Sequence, residues 1–385
     1  LVPEGYSWNH KGFIPQGSRT AMDLWFIHPT FLPNVGGVDI AMYALGKELV
    51  AKGWSVAVLS RTELGIPTHY DVNGIRVERR DSFPLYHSSM LPMFTKELNR
   101  IVESCDILQF ENPNIWSLAA LRVRAPMKIL RYFDFHPPEV ASLVLTSGEF
   151  DVIICPTYHA KKELEDRGVT DRIEVISTGV DTRLFTPEGS SSLREDLNCP
   201  GKKIILLPAR IDPHKGIDSL LEAVASLSHD VILYITGGGE SWKGLSQTLL
   251  KKYVKKAQQL RISHRVIFGD GHPWEEMPSI YRGADIVVLT STYESLGLAL
   301  MEAMACGKPV VGPNIPVIAE YIKSGTNGIL IEPDNPESIA DGIDCLLSDP
   351  EKANRLAAEG NKTIVQEYSL ETTVRTYMAL VDTLK

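Results

Sequence analysis

Short apolar runs alternate with amphipathic helical patterns along the chain, and this alternation narrows the possible folds more than any other feature. Asp23 to His28 is a buried-strand run, followed by a loop holding Pro29, Pro33 and the pair Gly36-Gly37. Ala41, Leu45 and Leu49 then fall four residues apart on one helical face, Gly53 ends the helix, and Trp54 to Leu59 is a second strand. Further strands are predicted at Gly74 to Val77, Ile107 to Phe110, Lys128 to Tyr132 and Val152 to Cys155. Strands joined through crossover helices build a mostly parallel sheet with both faces covered.

The stretch 186–201 (TPEGSSSLREDLNCPG) is dense in Pro, Gly and Ser, and beyond it the rhythm restarts, which marks a domain linker. Strands are predicted at Ile204 to Leu207, Val231 to Thr236, Val266 to Phe268, Ile286 to Leu289, Pro309 to Val311 and Ile329 to Ile331. Between them Leu220, Leu221, Val224 and Leu227 share a helical face, and Asn335-Pro336 suits the start of a helix carrying Ile339, Ile343 and Leu346. A chain of 385 residues fits two or three domains at about 150 each. The expected class is α/β, with two Rossmann-like doubly wound domains facing a cleft, over 22–190 and 200–367. Ligands would sit at the carboxyl ends of the strands. The last segment, 368–385, has Tyr377, Leu380 and Leu384 at helical spacing. Residues 1–21 are polar and lack the layout of a signal peptide, so they read as an added or poorly ordered extension.

Charge and cysteine content exclude several function classes. A formal net charge of -9 argues against nucleic acid as a partner, since such binders carry a basic face. The five cysteines are scattered with no pair spaced two apart, which fits reduced thiols in a cytoplasmic protein. No run of 18 apolar residues is present, so no transmembrane segment is expected. Lys251, Lys252, Lys255 and Lys256 lie on a helical stretch opposite Leu250, Tyr253, Val254 and Leu260. They read as a solvated face, with peripheral contact to anionic lipid as the alternative. No H-E-x-x-H, G-x-S-x-G or P-loop pattern occurs, and the glycines at 237–239 fail the dinucleotide fingerprint because Trp242 stands where its last glycine belongs.

The most informative segment is Thr290 to Gly312, TSTYESLGLALMEAMACGKPVVG, where a strand runs through a loop into a helix starting near Gly297. A helix amino end offers unpaired N–H groups and partial positive charge, which suits a phosphate. Glu302 is five residues inside, about 7.5 Å along the axis, the spacing from a diphosphate to a ribose whose hydroxyls a carboxylate could accept. Glu294, in the loop, would reach the group on the other side of the diphosphate.

Glu294 and Glu302, followed by A-M-A-C-G-K-P-V-V, resemble the E-x7-E signature of the GT-B fold retaining glycosyltransferases of the GT4 family. Pro208 to Gly216 (PARIDPHKG) is similar to the family's G-R-L-x-x-x-K-G segment. Thr178 to Phe185 (TGVDTRLF), Val35 to Val38 (VGGV), Gly237 to Glu240 (GGGE) and Gly325 to Leu330 (GTNGIL) also fall in the family's order. The resemblance implies hexosyl transfer from a nucleoside-diphosphate sugar to an acceptor hydroxyl with retention. Arg210 and Lys215 would hold the diphosphate, with the turn Ser295, Leu296, Gly297 and Leu298 supplying backbone donors. Glu302 would bind the ribose. Glu294 would orient the sugar hydroxyls without acting as a nucleophile. Gly36 and Gly37 would let backbone approach phosphate or sugar.

The chain has no D-x-D pair, so metal-independent transfer without a cofactor is the natural reading, the fixed cations doing the work of Mg2+. The expected donor is UDP-linked first and GDP-linked second. The acceptor would be a carbohydrate, lipid-linked or small-molecule hydroxyl bound mainly by the first domain. The enzyme would reside in the cytoplasm or peripherally at the inner membrane face.

The sequence also departs from the family. Ser295-Leu296-Gly297 stands where G-F-G is usual, and Gly312-Pro313-Asn314-Ile315-Pro316 lacks a double glycine. The family's sugar-contacting histidine corresponds either to His136 or to Phe133 with Asp134 as the polar group. A sugar-nucleotide epimerase on the same fold and a non-catalytic sugar-nucleotide-binding subunit remain alternatives.

Overall fold

The apolar runs become the strands of two sheets. The computed structural model describes residues 6–7, 22–33, 36–83, 88–133, 139–237 and 245–385. Apart from 6–7, the N-terminal extension through residue 21 lies outside the described residues. The chain divides into one unit of residues 1–179 with 370–385 and another of residues 180–369.

In the first unit β1 (Tyr6–Ser7), β2 (Asp23–Ile27), β3 (Ser55–Arg61), β4 (His69–Val72) and β5 (Ile75–Arg80) precede β6 (Ile107–Glu111), β7 (Met127–Arg131), β8 (Val152–Cys155) and β9 (Ile173–Val175). They form a nine-stranded sheet ordered β1-β4-β5-β3-β2-β6-β7-β8-β9. Pairing is parallel from β5 to β9, with β4 and β1 added antiparallel at one edge. Leu24, Trp25, Phe26 and Ile27 are all buried, as a strand covered on both faces requires.

The single strand expected at Gly74 to Val77 is instead the second arm of a β4–β5 hairpin. Asn73 and Gly74 both have positive φ (51° and 84°), the conformation of a two-residue Asn-Gly turn, and this dipeptide is the hairpin signal that the strand-and-helix reading passed over.

The second unit holds β10 (Lys203–Leu207), β11 (Val231–Ile235), β12 (Val266–Phe268), β13 (Ile286–Val288), β14 (Val310–Pro313) and β15 (Ile329–Ile331). Its order is β12-β11-β10-β13-β14-β15, parallel throughout. Direction along the sheet reverses between β10 and β13, creating a crevice at their carboxyl ends where ligands of such sheets bind. The first unit reverses likewise between β2 and β6.

The chain changes units at Gly179, ahead of the Pro/Gly/Ser-rich stretch, which belongs to the second unit. Arg282 ties that stretch down by donating to the carbonyls of Thr186 and Ser190, and Leu193 is buried there. Composition alone suggested a linker because these backbone contacts come from a residue almost a hundred positions away. The helix Leu370–Leu384 returns to the first unit, where the Tyr377 hydroxyl donates to Gln109 Oε1 at 2.6 Å and the Thr373 hydroxyl to the Ser177 carbonyl at 2.9 Å. On the helix Leu245–Gln259, Tyr253 and Ala257 face the core while Val254 is exposed, contrary to expectation. Lys252 and Lys256 pair with Asp218.

Candidate donor site in the second unit

Two loops converge at the crevice between β10 and β13. After β10 the chain passes Arg210 and enters a short 3-10 turn, Pro213–Lys215, whose cap is Asp212 accepting from the His214 amide at 3.0 Å. Gly216 then adopts φ 63° and opens the helix Ile217–Ser226. A Cβ at this glycine would lie 2.1 Å from the Thr290 carbonyl oxygen, so both φ and space require glycine. The Thr290 hydroxyl donates to the carbonyls of Lys215 (2.7 Å) and Gly216 (3.2 Å), and the Thr292 amide donates to His214 at 3.0 Å. These bonds lock the loop after β10 to the loop after β13.

The lock places Lys215 Nζ 2.6 Å from Glu294 Oε1, and the Ser291 hydroxyl donates to the same oxygen at 2.7 Å. Both charged side chains are mostly buried, at 19% and 11% exposure, where attraction exceeds that of a surface pair. Arg210 lies exposed on the first loop. There Gly237 packs so closely that a Cβ would come within 2.4 Å of the Arg210 Cα. Gly238 to Glu240 lie outside the described residues.

The helix Leu298–Ala305 begins at Gly297, whose φ of 73° turns the chain. Its carbonyl accepts from the buried Tyr321 hydroxyl at 3.2 Å. Leu296 packs into the core, so only its backbone can serve a ligand, and Ser295 beside it is half-buried. Leu298 is partly buried against the same core.

Glu302 lies one turn further along, only 6% exposed. Trp274 Nε1 donates to its Oε1 and the Tyr281 hydroxyl to its Oε2, both at 2.9 Å. Burial pushes this carboxyl up to about 7 against the opposing pull of the two donors. Burial and the neighbouring Glu302 likewise raise the Tyr281 phenol well above its ordinary value. Trp274 and Tyr281 escaped the sequence reading because they stand 28 and 21 residues before Glu302, with no fixed spacing to announce them.

In the first unit, Gly36 and Gly37 open the helix Gly37–Ala51, and the Asp39 carboxylate accepts from the Gly36 amide at 2.9 Å and from Thr30 at 2.9 Å. A Cβ at Gly37 would meet nothing within 4 Å. At the carboxyl ends of β6 and β7, Glu111 is fully buried and takes Gln109 Nε2 at 2.6 Å, with Arg131 Nη1 3.9 Å away. Burial raises the Glu111 carboxyl, and Arg131 opposes it. Neither residue belongs to a motif that the sequence displays. Phe133 is buried beneath the Arg131 guanidinium, 4.7 Å from ring centroid to Cζ, so its side chain serves the core. His136 and Asp134 lie outside the described residues, as does Val35.

All five cysteines are free, and among the described residues no helix is long and apolar enough to cross a membrane. Residues 35–184 match the family described as Glycosyltransferase Family 4, and residues 191–363 match Glycosyl transferases group 1. An uncharacterised glycosyltransferase of Methanocaldococcus jannaschii is 26% identical over 381 residues, covering 91% of this chain and 94% of that protein. Among solved structures, sucrose-phosphate synthase of Thermosynechococcus elongatus superposes with a TM-score of 0.85 at 22% identity, covering 94% of this chain and 99% of that one. Anabaena HepE in complex with UDP-glucose superposes with a TM-score of 0.80 at 21% identity, covering 94% and 100%. Both superpositions show the GT-B fold. With one family match on each unit and a glycosyltransferase aligned along nearly the whole length, the chain belongs to the GT4-type glycosyltransferases and is a transferase of that family.

Proposed function

We propose that the enzyme moves a hexosyl group from a nucleoside-diphosphate sugar, UDP-linked before GDP-linked, to an acceptor hydroxyl, with retention and without a metal. The acceptor is a carbohydrate, lipid-linked or small molecule. The observation that carries this reading is the 2.6 Å approach of Lys215 to Glu294 at the sheet's reversal point. The UDP-glucose held by the similarly folded Anabaena HepE favours a uridine donor.

In this reading Arg210, Lys215 and the backbone of 295–298 hold the diphosphate, and Glu302 accepts from the ribose hydroxyls. The bond from the anomeric carbon to the diphosphate oxygen breaks as the acceptor oxygen bonds to that carbon on the same face. The departing phosphate oxygen takes the acceptor's proton. Fixed cations stabilise the charge that develops on the leaving group, and losing one costs about 2.7 to 4 kcal/mol of barrier. Glu294, tied to Lys215 and Ser291, orients sugar hydroxyls. His136 is assigned a sugar contact, and Gly36 and Gly37 admit the ligand to the first unit's helix end. The reaction takes place in the cytoplasm or at the inner membrane face.

A thermal-shift panel of UDP, GDP, ADP and their sugars tests this. A ligand at 100 times its Kd stabilises by about 2.7 kcal/mol. UDP compounds should shift wild type and shift Glu302→Ala less; equal shifts in both would remove the ribose assignment. Turnover should survive EDTA and release free nucleotide. Loss of activity on chelation would refute metal independence. An isomeric nucleotide sugar without free nucleotide would reveal an epimerase, and tight binding without turnover a non-catalytic subunit.

A further inference from the structure

A charged cavity lies at the opposite ends of the same strands. The groups discussed so far follow the carboxyl ends of β10 and β13, whereas Lys203 opens β10, Asp285 immediately precedes β13 and Lys308 stands two residues before β14. Strands of three to five residues span about 10–17 Å, which separates the two sites. Here a cavity of about 380 Å³ is lined by Arg194, Arg282 and Lys308, with Gly189, Gly283 and Gly307 in its wall. That volume falls in the range of small-molecule sites.

The glycines keep the wall close to its neighbours. A Cβ at Gly189 would lie 3.0 Å from the Arg282 guanidinium carbon, so that side chain rests directly on bare backbone. A Cβ at Gly283 would lie 2.4 Å from the Ser191 hydroxyl. Gly307 has φ 65°, and a Cβ there would press on Pro187 at 3.1 Å.

The charges in this cavity do not balance. Asp285 pairs with Arg194 and Lys203. Arg282 donates only to neutral carbonyls, those of Ser190 at 3.2 Å and Thr186 at 3.3 Å. Among the described residues no ion pair engages Arg282 or Lys308. Two helices also end here: Met277–Gly283, which carries Tyr281, and Leu298–Ala305, which carries Glu302. Each carbonyl end contributes about half a negative charge, so four cations against Asp285, Glu188 in the wall segment and two helix ends leave a local excess of about +1. A phosphate monoester near neutral pH carries the opposite sign and enough charge to offset that excess. Burial, reinforced by Arg194 and Arg282, lowers the Lys308 ammonium from its ordinary value against the pull of Asp285, and an entering anion would relieve that strain.

We propose that this cavity is a phosphoryl-binding site, taking inorganic phosphate or the phosphate of a small phosphorylated metabolite between Arg282 and Lys308. The test titrates inorganic phosphate and glucose 6-phosphate into wild type, Lys308→Gln, Lys308→Arg and Lys215→Gln, reading melting temperature and calorimetric Kd. Removing the charge-assisted contact should weaken phosphate about tenfold or more in Lys308→Gln. Lys308→Arg should stay close to wild type, and Lys215→Gln should keep the phosphate binding that Lys308→Gln loses. Tighter binding of the sugar phosphate through Lys308 would assign the site to a metabolite, and equal binding to free phosphate. Equal phosphate affinity in wild type and Lys308→Gln overturns the proposal, since the cations then only offset the helix ends. Loss of binding in Lys215→Gln with retention in Lys308→Gln overturns it as well, by placing the phosphate at the other end of the sheet.

Discussion

The Lys215 ammonium and the Glu294 carboxylate meet at 2.6 Å although 79 residues separate them in the chain, and neither is freely solvated. Each therefore sets the position of the other before any ligand arrives. A donor diphosphate entering beside Lys215 would meet a cation already fixed in place, which is the condition for stabilising charge in a transition state without reorganisation.

Lys215→Ala should lower kcat by about 10²–10³-fold, because it removes a fixed cation and leaves Glu294 without its ion partner. Initial rates with a nucleotide-sugar donor measure this. Glu294→Gln should lower kcat more than it raises the donor KM. A variant with unchanged kcat at either position would rule out the assigned role.

Glu302 gives the protein a pH dependence of known sign. Its carboxyl stands at about 7 when folded against 4.5 for an exposed glutamate. Between those values the folded state keeps a proton that the unfolded chain releases, so stability falls as pH rises through that window and levels off above it. The loss is on the order of 3 kcal/mol. Urea midpoints at pH 5 and pH 8 should differ by this component in wild type and not in Glu302→Gln. Parallel behaviour of the two proteins would contradict the burial argument.

Tyr281→Phe removes one of the two donors to a buried carboxyl and should cost about 1–3 kcal/mol of stability. It should also weaken nucleotide binding, since the remaining bond from Trp274 leaves Glu302 freer to turn. Calorimetric titration with UDP reads the second effect, and unaltered affinity would show that the carboxyl is held without Tyr281.

Two glycines at helix starts should respond oppositely to alanine. Gly216→Ala forces a Cβ to 2.1 Å from the Thr290 carbonyl at a positive φ and should destabilise by more than about 2 kcal/mol. Gly37→Ala meets nothing within 4 Å and should leave the melting temperature unchanged or raise it, by up to about 1 kcal/mol of stability. Lost turnover in a stable Gly37→Ala protein would then report crowding of a ligand, whereas full activity would remove that glycine from the site.

Much of the architecture was legible because its signals are local. The apolar runs that became β2, β6, β10 and β13 are set by side-chain composition over a few residues, and the start of the helix at Gly297 by a single turn. The Asn73-Gly74 hairpin was equally local, yet a reading tuned to strand and helix alternation missed it. The unit boundary was misplaced because the stretch 186–201 is held by Arg282, a partner that composition cannot name.

The sequence by itself determined two strand-and-helix units, the E-x7-E pair, and the cations of Pro208 to Gly216 as members of one recognisable pattern. Only the tertiary structure decided that Lys215 touches Glu294, that Trp274 and Tyr281 grip Glu302, and that Arg282 and Lys308 share a cavity at the far ends of the strands. The physical reason is that period and propensity act along the chain over a few residues. Charge pairing, burial and the room for a Cβ depend on which distant segments the sheet order brings side by side.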